Sequence, residues 1–82
     1  METLTVGQKV KWTSSNTEKV GEVVAIVPAG KTPRDVGHPK AGGGGMARDH
    51  ESYVIRGQQI WRGELQARKA WYWPVVSLIR TA

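Results

Sequence analysis

Apolar and polar positions alternate over the first stretch of the chain. Leu4, Val6, Val10 and Trp12 fall at alternate positions, with Gln8 the one exception, and Thr5, Gly7, Lys9, Lys11 and Thr13 stand between them. A period of two predicts a half-buried strand, with Trp12 on the core side beside Val10. Ser14-Ser15-Asn16-Thr17 predicts a turn, because these side chains bond to their own backbone. Val20 to Val27 is the strongest strand signal. Val23, Ala25 and Val27 are expected on one face and Val24 and Ile26 on the other, as in a strand at the middle of a sheet or across a barrel corner. Pro28 ends it, since proline cannot donate to a ladder.

Residues 28–50 change character. Pro28, Pro33 and Pro39, Gly30 and Gly37, and the run Gly42 to Gly45 predict a long exposed loop, mobile at the glycines, in which almost nothing is buried. Strand pattern resumes at Ser52-Tyr53-Val54-Ile55-Arg56. Gly57-Gln58 reads as a tight turn, after which Gln59-Ile60-Trp61-Arg62 pairs back. Gly63 to Ala70 holds good helix formers but no amphipathic spacing, which favours a strand end and a turn over a short helix. Trp71-Tyr72-Trp73 is strand material with Tyr72 facing away from both tryptophans. Pro74 stops it, Val75-Val76-Ser77 fits one helical turn, and Leu78-Ile79-Arg80 a last short strand. The sum is an all-β chain, one small barrel domain over residues 1–82 with about five antiparallel strands and one long Gly/Pro-rich loop at about 28–50. Val10, Trp12, Val24, Ile26, Val54 and Leu78 are the expected buried set.

Composition narrows the classes. A single domain of 82 residues has a small core, and with no cysteine it has neither a disulfide nor a thiolate metal site. No apolar run approaches the ~18 residues a membrane span needs. Met1-Glu2-Thr3-Leu4-Thr5 shows no basic region followed by an apolar one, so a soluble, cytoplasmic protein is expected, monomeric or weakly self-associating. The formal charge of +5 is uneven. Lys9, Lys11 and Lys19 cancel Glu2, Glu18 and Glu22, whereas after Glu51 the cations Arg56, Arg62, Arg68, Lys69 and Arg80 face Glu64 alone. Such a slope suits an anionic partner.

Gly7-Gln8-Lys9-Val10-Lys11-Trp12 followed by Gly21-Glu22-Val23-Val24-Ala25-Ile26-Val27 resembles the opening hairpin of KOW and tudor-type barrels. With Tyr53-Val54-Ile55 and the closing Leu78, the set is most similar to small bacterial hypervariable-A tudor-like proteins. Ile60-Trp61-Arg62-Gly63-Glu64-Leu65, with Tyr72-Trp73-Pro74 later, resembles the strand, distal turn and proline-led helical turn of Src-homology-3 domains. These resemblances imply a five-stranded Src-homology-3-like barrel. The proline-peptide groove is not implied. Ile60 stands where an aromatic is expected before Trp61, Ser77 replaces the tyrosine after Pro74, and a basic glycine-rich loop replaces the acidic one.

Candidate chemistry is sparse. Asp49, His50 and Glu51, with His38 as a fourth ligand, match no metal-site spacing and read as a solvated loop end. Gly42 to Gly45 is followed by Met46-Ala47-Arg48 and not by the Gly-Lys-Ser/Thr that a phosphate cradle needs. No nucleophile and base stand at recognisable spacing, so a non-enzymatic protein without cofactor or metal is expected. The informative constellation is basic residues interleaved with aromatics: Arg56, Trp61, Arg62, Arg68, Lys69, Trp71 and Tyr72, with Arg48 and His50 nearby. Bases stack on aromatic faces while Arg and Lys neutralise phosphates. The expected function is a binding module for single-stranded nucleic acid or RNA. The alternative is a protein-interaction module, of phage or mobile-element origin, acting through the long loop and exposed aromatics.

Overall fold

Two short turns with left-handed backbone set the course of the chain. In a computed structural model that describes residues 3–41 and 46–82, strand β1 (Lys9–Ser14) turns through Ser15 and Asn16, at φ 51° and 59°, into β2 (Thr17–Val27). Two consecutive residues of positive φ make a turn whose twist matches that of the flanking strands. The same device, at Arg62 and Gly63 (φ 52° and 81°), joins β3 (Ser52–Trp61) to β4 (Glu64–Leu65). The turn expected at Gly57-Gln58 is therefore absent, and β3 runs straight through it.

Gly57 has a different task. It lies directly opposite Gly21 on β2, and a Cβ at Gly21 would sit 2.6 Å from the Arg56 carbonyl oxygen and 2.7 Å from Ile55 Cγ2. A Cβ at Gly57 would meet the Val20 carbonyl oxygen. The glycine pair lets β2 and β3 approach closely where the sheet bends.

The strand order is β4-β3-β2-β1-β6, all pairs antiparallel, with β5 (Ala70–Tyr72) also on β3 and β6 (Arg80–Thr81) on β1. β5 and β4 thus share one edge of β3 end to end. The sequence pattern predicts about five strands; the described residues form six, two of them only two residues long. The sheet curls into a half-barrel. The segment 63–70 is a strand end and a loop, as its spacing predicts, and Val76–Leu78 forms a 3₁₀ turn.

Each face of the sheet has its own core. The concave side buries Leu4, Val10, Trp12, Val23, Tyr53 and Ile55, with Tyr72 packed edge-to-face on Trp12 at 5.3 Å. The convex side buries Val27, Ala41 and Val54 beneath Val24, Trp71 and Trp73. A bulge between Val23 and Ala25 shifts the register of β2, so Val23 and Ala25 do not share a face as strict alternation predicts. Of the expected buried set, Val10, Trp12 and Val54 are buried, whereas Val24 and Ile26 are half-buried. Leu78, in the 3₁₀ turn and not a strand, is 40% exposed. Val6 is exposed too, because β1 starts only at Lys9.

The loop after Pro28 is more ordered than its composition suggests. Thr32 and Asp35 cap a 3₁₀ turn over Pro33–Val36, and Pro33 and Ala41 are buried, which overturns the expectation that almost nothing there is. Arg48 fastens its far end. The guanidinium donates to the carbonyls of Pro74 (2.8 Å) and Trp73 (2.9 Å) and stacks 3.8 Å from the Trp73 ring centre. Gly42 to Gly45, on which both the mobility and the phosphate-cradle readings fall, lie outside the described residues.

Candidate nucleic-acid interface

The second core covers only part of the convex face. What remains open is the half nearer the hairpin turns, and strand register defines its rows. Lys9, Glu22, Arg56 and Trp71 are cross-strand neighbours on β1, β2, β3 and β5. In the next row on this face Arg80 pairs with Lys11, Lys11 with Val20, and Val20 with Gln58. Beyond it Thr13, Glu18, Ile60 and Leu65 are neighbours. Side chains in such rows stand close enough to act together.

Two shallow grooves run across these rows. One, of about 440 Å³, is lined by Lys9, Val20, Glu22, Val24, Arg56 and Lys69 among others. The other, of about 460 Å³, is lined by Lys11, Glu18, Val20, Ile60, Leu78 and Arg80 among others. An apolar floor of Val20 and Ile60 with cations around it can hold a polyanion that also carries flat apolar groups.

Several of these groups are already positioned. The Arg56 guanidinium lies 4.4 Å from the centre of the Trp71 ring, and the His38 ring packs on that tryptophan at 5.2 Å. Lys9 Nζ donates to Glu22 Oε1 at 2.7 Å. That hydrogen bond, then the charge of Lys9 and to a lesser degree that of Lys69, hold the Glu22 carboxyl below the usual range. Gln58 donates its amide to the carbonyls of Gln66 (2.9 Å) and Ala67 (3.3 Å), which fixes the loop carrying Arg68 and Lys69.

The residues expected at a binding face are therefore dispersed. Arg56, Lys69 and Trp71 come together on the convex face. Trp61, 56% exposed, and Arg62, 5.9 Å from its ring centre, form the tip of the β3–β4 hairpin. Arg68 is exposed on the neighbouring loop. Tyr72 faces the concave core, opposite to Trp71, as alternation requires. Arg48 is tied to two carbonyls. His50 pairs with Asp49 at 2.9 Å and lines a separate hollow with Glu51, Tyr53 and Val76.

Lys9, Lys11, Val20 and Glu22 were not in the expected set. Their signal is in the sequence, since Lys9 and Lys11 occupy the polar positions between Val10 and Trp12. What the sequence does not give is that β6 brings Arg80 beside Lys11. Among the described residues no three His, Asp or Glu side chains gather as metal ligands, and no helix is long and apolar enough to cross a membrane. No family model, no curated protein and no solved structure matches the chain.

Proposed function

We propose that the chain is a small non-enzymatic binding module that takes single-stranded nucleic acid on its convex sheet face, on a barrel of the Src-homology-3 and tudor kind. The carrying observation is the cationic frame of Lys11, Arg56, Lys69 and Arg80 around the floor of Val20 and Ile60. The 3₁₀ turn before β6, and the pairing of β6 with β1, support the barrel assignment.

Phosphates of a strand laid over these rows meet Lys or Arg, and its bases meet apolar surface. Ile60 and its cross-strand neighbour Leu65 offer apolar surface on this face against which a base can pack, whereas Trp61, the next residue of β3, alternates to the opposite face. Unpaired bases are what such a surface recognises, because in a duplex their faces are covered.

Tryptophan fluorescence with a mixed-sequence oligonucleotide tests this. Quenching is expected at low salt, and the log–log plot of affinity against salt should fall by about 0.7 per phosphate contacted. Leu65→Ala, at an exposed neighbour of Ile60 on this face, should cost ~1–2 kcal/mol of lost apolar contact. Binding that ignores salt would favour instead a protein partner seated on Ile60 and Leu65, the latter 57% exposed.

A further inference from the structure

Glu22 is out of place on a face that attracts phosphates. Its carboxylate stands between Lys9 on β1 and Arg56 on β3 in one cross-strand row, and it shares a groove with Lys69. Lys9 holds it at 2.7 Å, with side chains that remain 72% and 43% exposed. Exposed pairs of this kind are weak and readily exchanged.

A carboxylate among cations offers the same acceptor oxygens as a phosphate. Arg56 is held in place by its stack on Trp71, and a guanidinium so held presents its donors at little further entropic cost. The groove floor of Val20 and Val24 leaves room above Glu22 for a larger group.

We propose that Lys9, Arg56 and Lys69 form a phosphate site and that the Glu22 carboxylate fills it in the free protein. This rests on the nucleic-acid reading above. A phosphodiester group displaces Glu22 from Lys9 and takes its place, so Glu22 sets the affinity threshold for polyanions. No covalent step is involved.

The test compares Glu22→Gln with Glu51→Gln. Both raise the net charge by one, but Glu51 lies in the separate hollow with His50 and Tyr53 and makes no ion pair among the described residues. Glu22→Gln should tighten binding of a mixed-sequence single-stranded oligonucleotide about fivefold at low salt and steepen the salt slope by about 0.7, one further contact. Glu51→Gln should change affinity by less than about twofold, as expected of a distant screened charge. Adding Lys9→Met to Glu22→Gln should abolish the gain.

If the wild type binds and the two glutamine variants behave alike, the phosphate site is wrong and the nucleic-acid reading stands. If neither wild type nor Glu22→Gln binds oligonucleotide, the reading falls, and a parallel titration with inorganic phosphate decides the site. A shift of the Glu22 side-chain carboxyl resonance keeps the site and assigns it to free phosphate, whereas an unmoved resonance removes it.

Discussion

At the scale of single residues, the strongest constraints are steric and fall on glycine. The Gly21–Gly57 pair has no room for a Cβ against backbone atoms, which cannot move without breaking the β2–β3 ladder. Gly21→Ala should therefore cost ~2–3 kcal/mol by overpacking. Gly63→Ala, at φ 81° with open space around it, should cost only the ~1–2 kcal/mol of a left-handed alanine. Urea denaturation of both variants separates the two mechanisms, and equal losses would contradict the close approach. Lys19 is a second instructive residue. It is buried in register with Trp12, and its ammonium donates to the Ser14 carbonyl and hydroxyl at 3.0 and 2.8 Å. The stem is covered while the head reaches the hairpin turn, and burial lowers its pKa.

At the scale of elements, the segment after Pro28 behaves as a cover and not as a tether. It buries Pro33 and supplies Val36 and Ala41 to the convex core, and Arg48 locks its end to Trp73 and Pro74. Arg48→Met keeps most of the side-chain volume but loses two charged hydrogen bonds and the stack on Trp73. It should cost ~2–4 kcal/mol and speed amide exchange at Gly30, whose N–H donates to the Arg48 carbonyl at 2.8 Å. Unchanged exchange at Gly30 would show that Arg48 does not hold this segment. The cap of the 3₁₀ turn adds a pH dependence. Asp35 accepts from the Thr32 backbone N–H (2.9 Å) and hydroxyl (3.0 Å), and these bonds lower its pKa. A depressed folded pKa means the stabilisation is present above the unfolded value and is lost as pH falls through the folded one. Exchange at the Thr32 amide, corrected for its intrinsic pH dependence, should therefore accelerate on acidification below the ordinary aspartate range. Asp35→Asn should show no such step.

At the scale of the whole molecule, the two faces of one sheet divide the work. The concave face holds the larger core, and the convex face is half covered and half open. Function placed on the open half makes a geographical prediction. Lys11→Ala and Arg80→Ala, cross-strand neighbours, should each lower the salt slope by close to one contact and weaken all sequences alike. His50→Ala, in the separate hollow beside Tyr53 and Val76, should leave oligonucleotide affinity unchanged. A loss at His50 equal to that at Lys11 would move the interface to the other side of the molecule.

Several features follow from the sequence alone. Alternation across Lys9 to Thr13 sets which side chains face the core, because side chains on a strand must alternate. Pro28 and Pro74 set where strands stop, because proline lacks a donor. The charge slope and the absence of cysteine depend on no fold at all. Tertiary structure decided the rest. Gly57 looks like a turn residue locally, and only the approach of Gly21, distant in sequence, makes it a mid-strand crossing point. The glycine- and proline-rich segment looks unburiable, yet the convex side of the sheet offers Val27, Val54 and two tryptophans for it to cover. Tryptophan and arginine near one another in sequence look like one site, but the pleat sends Trp71 and Tyr72 to opposite faces and the fold spends Arg48 on backbone carbonyls. Local pattern fixes the direction of a side chain relative to its own strand. Which surface that direction meets depends on contacts between residues far apart in the chain.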